Sequence, residues 1–290
     1  MDDAIKQTNG ETETIEQTVE AAATEIVRHP YTKKFARLGF YTKGFLFVVI
    51  GALAGLVALG ARGSGTLADP TGALETIARE RFGKTILLVF AIGALAHGAW
   101  NILRGASDVD NAGRSVQGII KRIAAGGIGV FYLFLAWKAW DLIEAAQVVE
   151  SAKMQKTLTA LMLGLPLGAL LVFIVGASVV GVGFHECYSG VTGKFQETFR
   201  LREMTGAKKF LIALLGFFSF LARGLIFTLI GYFFIVAAID SNPEEAVGLD
   251  GALLLLAQSY FGKTLLFAAA AGLICHGILS VYEARYRRIC

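Results

Sequence analysis

The sequence predicts an all-α integral membrane protein. Six transmembrane helices form three parallel two-helix repeats about a pseudo-threefold axis, with short interfacial helices after the first helix of units one and three. Three observations predict this. The 290 residues are 55% hydrophobic and 17% charged, with a mean hydropathy of +0.59, whereas about a quarter of a soluble domain is charged. The charges cluster between apolar runs long enough for a helix to cross about 30 Å of hydrocarbon. One uncommon phrase occurs twice, FGKTILLVFAIGALAHG at 82–98 and FGKTLLFAAAAGLICHG at 261–277.

Taken in order, residues 1–30 are a polar, partly helical N-terminal segment. Residues 1–10 read as disordered, and Ile15, Val19, Ala22 and Ile26 then place one weak apolar stripe on an acidic helix. His29-Pro30 ends it, because the residue before proline resists helical angles. Nothing here resembles a cleaved signal peptide. Repeat 1 covers 31–110, with apolar runs at 44–61 and 85–103. Repeat 2 covers 111–205, with a run at 123–137 that continues past Lys138 as WKAWDLI and a second at 157–184. Repeat 3 covers 206–290, with runs at 210–239, broken only by Arg223, and 264–282, followed by a basic tail.

The repeat is sharpest between 69–98 and 248–277, where 13 of 30 positions are identical without a gap. Shared apolar composition does not generate FGKT followed by a registered glycine and histidine. A worn middle copy begins at RIAAGGIGVFYLFLAW, aligning Gly129 with Gly44. In that alignment Gly176 and Gly181 fall where Gly93 and Gly98 stand, and Val180 takes the place of the histidine. Two spans per copy make the copies parallel, related by an axis along the membrane normal. Between the spans of units one and three, DPTGALETIARERFGK and GLDGALLLLAQSYFGK read as short helices, the first capped by Asp69 with Pro70 at the first helical position.

Lys and Arg counts orient the chain. With both termini in the cytoplasm, the cytoplasmic segments hold 18 of them and the outer connections 8. The protein is therefore expected in the cell membrane, its basic cytoplasmic loops against anionic phospholipid. The net charge of +4 then reflects headgroups rather than a nucleic-acid partner. Cys187, Cys275 and Cys290 have no CxxC spacing and read as reduced thiols.

The stretches ARG at 222–224, GLDGAL at 248–253, YFGKTLL at 260–266 and EARYR at 283–287 resemble a bacterial membrane family annotated by its domain of unknown function. The resemblance runs from about Ala36 to Arg288 and implies six spans built from three copies of a two-helix repeat. It implies no activity, ligand or catalytic residue.

Ionisable groups inside spans are costly to bury and so are functional candidates. His97 and His276 occupy one register in two copies, about 18 Å along their helices. Gly93 and Gly272 lie one turn earlier on the same face, so simple helix packing explains the pair as well as a proton relay or metal ligation does. Arg223 and Lys43 align between copies, and both read as snorkelling to lipid phosphate or binding an anionic lipid or solute. Lys138 and Asp141, between Trp137 and Trp140, read as an outer aromatic belt. The spacings Gly51-xxx-Gly55 and Gly164-xxx-Gly168 read as helix contacts. No catalytic residue, cofactor or metal is expected.

Three functions fit these residues. The first is a non-enzymatic scaffold or accessory subunit that binds membrane-protein partners or lipids. The second is a small transporter or channel along the pseudo-threefold axis using His97 and His276, and the third a haem or metal redox protein using the same pair. A continuous polar path would favour the second, and bound chromophore or metal the third.

Overall fold

The computed structural model describes residues 30–60, 69–106, 113, 115–144, 158–258 and 260–287, the side chains of 30–33, 203 and 250 excepted. The expected disorder at 1–10 and helix at 11–27 lie outside the described residues, as does Cys290. In chain order the helices are α1 (Pro30–Ala58), α2 (Pro70–Ala78), α3 (Gly83–Ala106), α4 (Val116–Glu144), α5 (Gly168–Thr192), α6 (Gly206–Ile239), α7 (Leu249–Gln258) and α8 (Gly262–Tyr286). Six of them (α1, α3, α4, α5, α6 and α8) are long and apolar enough to cross a membrane. In hydrocarbon the backbone must satisfy its own hydrogen bonds, which long helices do. Large apolar side chains such as Val89, Phe184 and Phe210 stay exposed on the outside, as suits a surface facing lipid.

The six long helices pack in the spatial order α5, α6, α8, α1, α3, α4. The most extensive contacts join α1 with α8, α3 with α4, and α5 with α6. Contacts of α1 with α3 and of α6 with α8 link these pairs, whereas α4 and α5 have no comparable interface. The bundle is thus an arc with one loose side.

Each tight pair crosses at facing glycines. A Cβ on Gly44 would lie 2.7 Å from Gly277 O, one on Gly129 2.8 Å from Gly98 O, and one on Gly224 2.8 Å from Gly183 O. Only the missing side chain allows such backbone approach. The glycine of α5 at its crossing with α6 is Gly183. Within α1–α3 and α6–α8 the hairpins also close, Gly93 against Thr42 and Gly272 against Ala222. Gly126, Gly127 and Gly181 on the loose side have nothing within 4 Å of a Cβ.

Asp69 caps α2 as expected, its Oδ1 accepting from Gly72 N at 2.5 Å with Pro70 next. The 157–184 run is not one span. Residues 158–163 are helical, a turn through Pro166 and Leu167 (φ 63°) follows, and α5 begins at Gly168. A short helix thus also precedes α5, where none was expected. Gly83, Gly168 and Gly262 each abut the last carbonyls of the preceding short helix. Gly164-xxx-Gly168 belongs to this turn and is not a helix crossing. The 210–239 run lies within one unbroken 34-residue helix, α6, with Arg223 near its middle.

Candidate functional site

Lys43, Arg223, Glu186, His276, Glu283 and Arg287 gather toward the end of the bundle where α1 begins and α8 ends, the termini side. Glycine at 44 and 277 brings α1 and α8 together, and beside this crossing Lys43 Nζ reaches Glu283 Oε2 at 3.1 Å. Arg287, one turn beyond Glu283, holds the other oxygen, Oε1, at 3.2 Å. All three side chains are at most one-fifth exposed. Burial of these charges is tolerable because each has an opposite partner.

Arg223 NH1 lies 3.1 Å from Glu186 Oε2 and 3.5 Å from His276 Nε2. The Glu186 contact is an ion pair without hydrogen-bond alignment: Glu186 Oε2 and Arg223 Nε are both buried and lack a hydrogen-bond partner. Phe220 and Phe227 flank the guanidinium, its carbon 5.8 and 5.4 Å from their ring centres. A guanidinium only donates, so Nε2 of His276 accepts, and its Nδ1 carries the hydrogen donated to Ser219 Oγ at 2.8 Å. Arg223 thus has an ion-pair partner on α5 and an imidazole neighbour on α8.

His97 has a different setting. Phe40 and Tyr132 stand T-shaped to it, with ring centres 5.3 and 4.4 Å away. The helix α1 meets it with Gly39, where a Cβ would stand 2.7 Å from His97 Cα. Where His276 finds a serine hydroxyl, His97 Nδ1 has no partner although the residue is 3% exposed. Both histidines are buried with a T-shaped aromatic neighbour, Phe47 lying 4.5 Å from His276, and they differ in the hydrogen bonding of the ring. Among the described residues no group of three or more His, Cys, Asp or Glu side chains is placed to hold a metal.

A chamber of about 690 Å³ lies between α4 and α6, with Phe47 and Leu273 behind it. Ligand pockets commonly span about 300–1,000 Å³. Phe131, Phe134, Phe227 and Ile230 make its walls apolar, Arg223 stands in its lining, and Val130 and Phe131 are exposed at its open side. Lys138 also lines it. The belt residues Trp137 and Trp140 are exposed as expected, but Lys138 is buried and 3.5 Å from Asp141. A second cleft of about 1290 Å³ opens between the termini-side ends of α4 and α5 and includes Glu186, Glu283 and Arg287. The Arg223–Glu186 pair therefore bridges the two cavities.

Lys43, Arg223 and His276 were legible as candidates, and the fold brings them to one region. Glu186, Glu283, Arg287 and Ser219 were missed. The available signal was charge balance: a cation inside an apolar helix requires a carboxylate, and Glu186 and Glu283 are acids at the ends of apolar runs.

Six long apolar helices around buried ion pairs define an all-α, multi-span membrane protein. The family model described as Domain of Unknown Function (DUF1206) matches residues 38–108 and 218–287. An uncharacterized protein, YxxB, of Bacillus subtilis (strain 168) is 30% identical over 260 residues, 90% of this chain and 93% of that protein. The chain belongs to this DUF1206 family of membrane proteins. No solved structure matches it.

Proposed function

We propose that the protein is a non-enzymatic membrane protein that holds membrane lipid in a chamber left accessible by a splayed middle unit. Its three two-helix units, α1–α3, α4–α5 and α6–α8, stand about a pseudo-threefold axis. Three sets of glycines support that symmetry: 44, 129 and 224; 98, 183 and 277; 83, 168 and 262. Each set makes the same contact in its copy. The family model's two matches coincide with units one and three.

The observation that carries the functional reading is the 690 Å³ apolar chamber. It lies beside the side of the bundle where α4 and α5 lack an interface, so acyl chains can enter from the bilayer without crossing a polar barrier. The lysine and arginine bias supports cytoplasmic termini in a cell membrane, with the basic loops on anionic phospholipid. A scaffold or accessory role toward a membrane-protein partner is compatible with the exposed outer faces. A path along the axis through both histidines is not favoured, because His97 is enclosed by aromatic rings and a glycine backbone.

The test is photo-crosslinking in native membranes with a lipid carrying a diazirine in its acyl chain. Labelling is expected on Val130, Phe131 and Phe227. Label confined to outward residues such as Val89 and Phe184 would remove the reading.

A further inference from the structure

We infer that the lipid held in the chamber is an anionic phospholipid, whose phosphate binds Arg223 by displacing Glu186. This rests on the lipid-holding reading above and adds the headgroup chemistry.

The buried ionic group is unbalanced. Lys43, Arg223 and Arg287 face only Glu186 and Glu283, leaving one excess positive charge in a region of low dielectric. Such an excess is costly unless an anion joins it. Arg223 is the member least well satisfied, since its Nε has no partner and its contact with Glu186 lacks hydrogen-bond alignment. Guanidinium matches a phosphate bidentately through two parallel N–H donors, which the present carboxylate does not achieve. Arg223 also lines the apolar chamber. A phosphate on it leaves the attached acyl chains room among Phe131, Phe134, Phe227 and Ile230.

The adjoining cleft has the matching sign. Its lining carries five cations, Arg104, Lys121, Arg122, Lys194 and Arg287. Three carboxylates, Glu186, Glu197 and Glu283, stand against them. A released Glu186 remains in this cationic surrounding, so the exchange does not strand it. Neutral lipids offer the chamber the same chains but no net charge to replace the carboxylate. The charge complementarity therefore selects the anionic class.

The experiment is native mass spectrometry of the full-length protein released from nanodiscs of equimolar phosphatidylglycerol, phosphatidylethanolamine and phosphatidylcholine. Parallel samples receive inorganic phosphate, and diazirine-labelled lipids of each class locate the chamber. The wild type is expected to retain phosphatidylglycerol in preference. Arg223→Gln should lower that retention roughly tenfold or more, as loss of an ionic hydrogen-bonded contact does, and Arg223→Lys by less. Glu186→Gln, which removes the competing carboxylate, should raise it, and this arm stands even if Arg223→Gln fails to fold.

Chamber labelling by all three lipids alike, unchanged in Glu186→Gln, would overturn the headgroup assignment and leave the lipid chamber standing. No chamber labelling by any lipid would overturn both. Suppression of phosphatidylglycerol retention by millimolar phosphate would show a free-anion site and also overturn the lipid assignment.

Discussion

The α1–α3 and α6–α8 hairpins can be set beside α4–α5, which has the same connectivity and a different outcome. In the first and third, the two spans touch through Gly93 on Thr42 and Gly272 on Ala222. In the middle one, Gly127 faces open space and Ser178 is exposed, its hydroxyl turned back to Ile174 O. All three nevertheless keep the glycine crossing to a neighbouring unit. The glycine crossings make three tight pairs, the α1–α3 and α6–α8 contacts link those pairs into the arc, and only the corresponding α4–α5 contact is missing. Dispensing with it leaves a chamber.

The largest effect on this contrast should come from the closed side. Glu283→Ala leaves Lys43 and Arg287 buried without a carboxylate and should cost about 3–5 kcal/mol, read as thermal unfolding in detergent. Glu197→Ala, at an exposed position in the open cleft, should change little. Next, Gly44→Val drives a side chain into the α8 backbone and should cost about 1–3 kcal/mol. Ser219→Ala removes the hydroxyl that satisfies His276 and should cost about 1–2 kcal/mol. The Ser219→Ala imidazole NMR signal should move toward that of His97, which has no such partner. Smallest of all, Gly127→Val should stay within about 0.5 kcal/mol of wild type. A large loss at Gly127 in reconstituted protein would mean that the middle hairpin closes in the bilayer, ending the contrast.

Much of the architecture was legible because its determinants are local. Apolar length marks the spans, and Asp69-Pro70 marks the start of α2. The FGKT and HG phrases mark a tight turn and a backbone crossing, both of which demand glycine at fixed positions. That Gly183 is the glycine of α5 facing Gly224 was not legible, because the contact depends on packing between two helices. The short helix before α5 was missed because residues 158–184 carry no charge, and the Gly164 and Pro166 that punctuate them stand within an otherwise apolar run. The site was half legible. Lys43 and Arg223 stand out within apolar runs, whereas Glu283 lies 240 residues from Lys43, and no sequence periodicity links them. The different fates of the two histidines turn on Gly39 and Ser219, residues on other helices that become neighbours only in the fold.

The pairing of α1 with α8 also bears on how the chain is made. Helices α3 and α4, and later α5 and α6, emerge from the ribosome consecutively and can join as soon as both are inserted. The first span has no such option, since its main neighbour is the last one synthesised. At about 5–20 residues per second, Gly44 and Lys43 wait on the order of ten to fifty seconds for Gly277 and Glu283. Throughout that interval Lys43 is without Glu283, and translation of the final helix is the step that supplies this carboxylate.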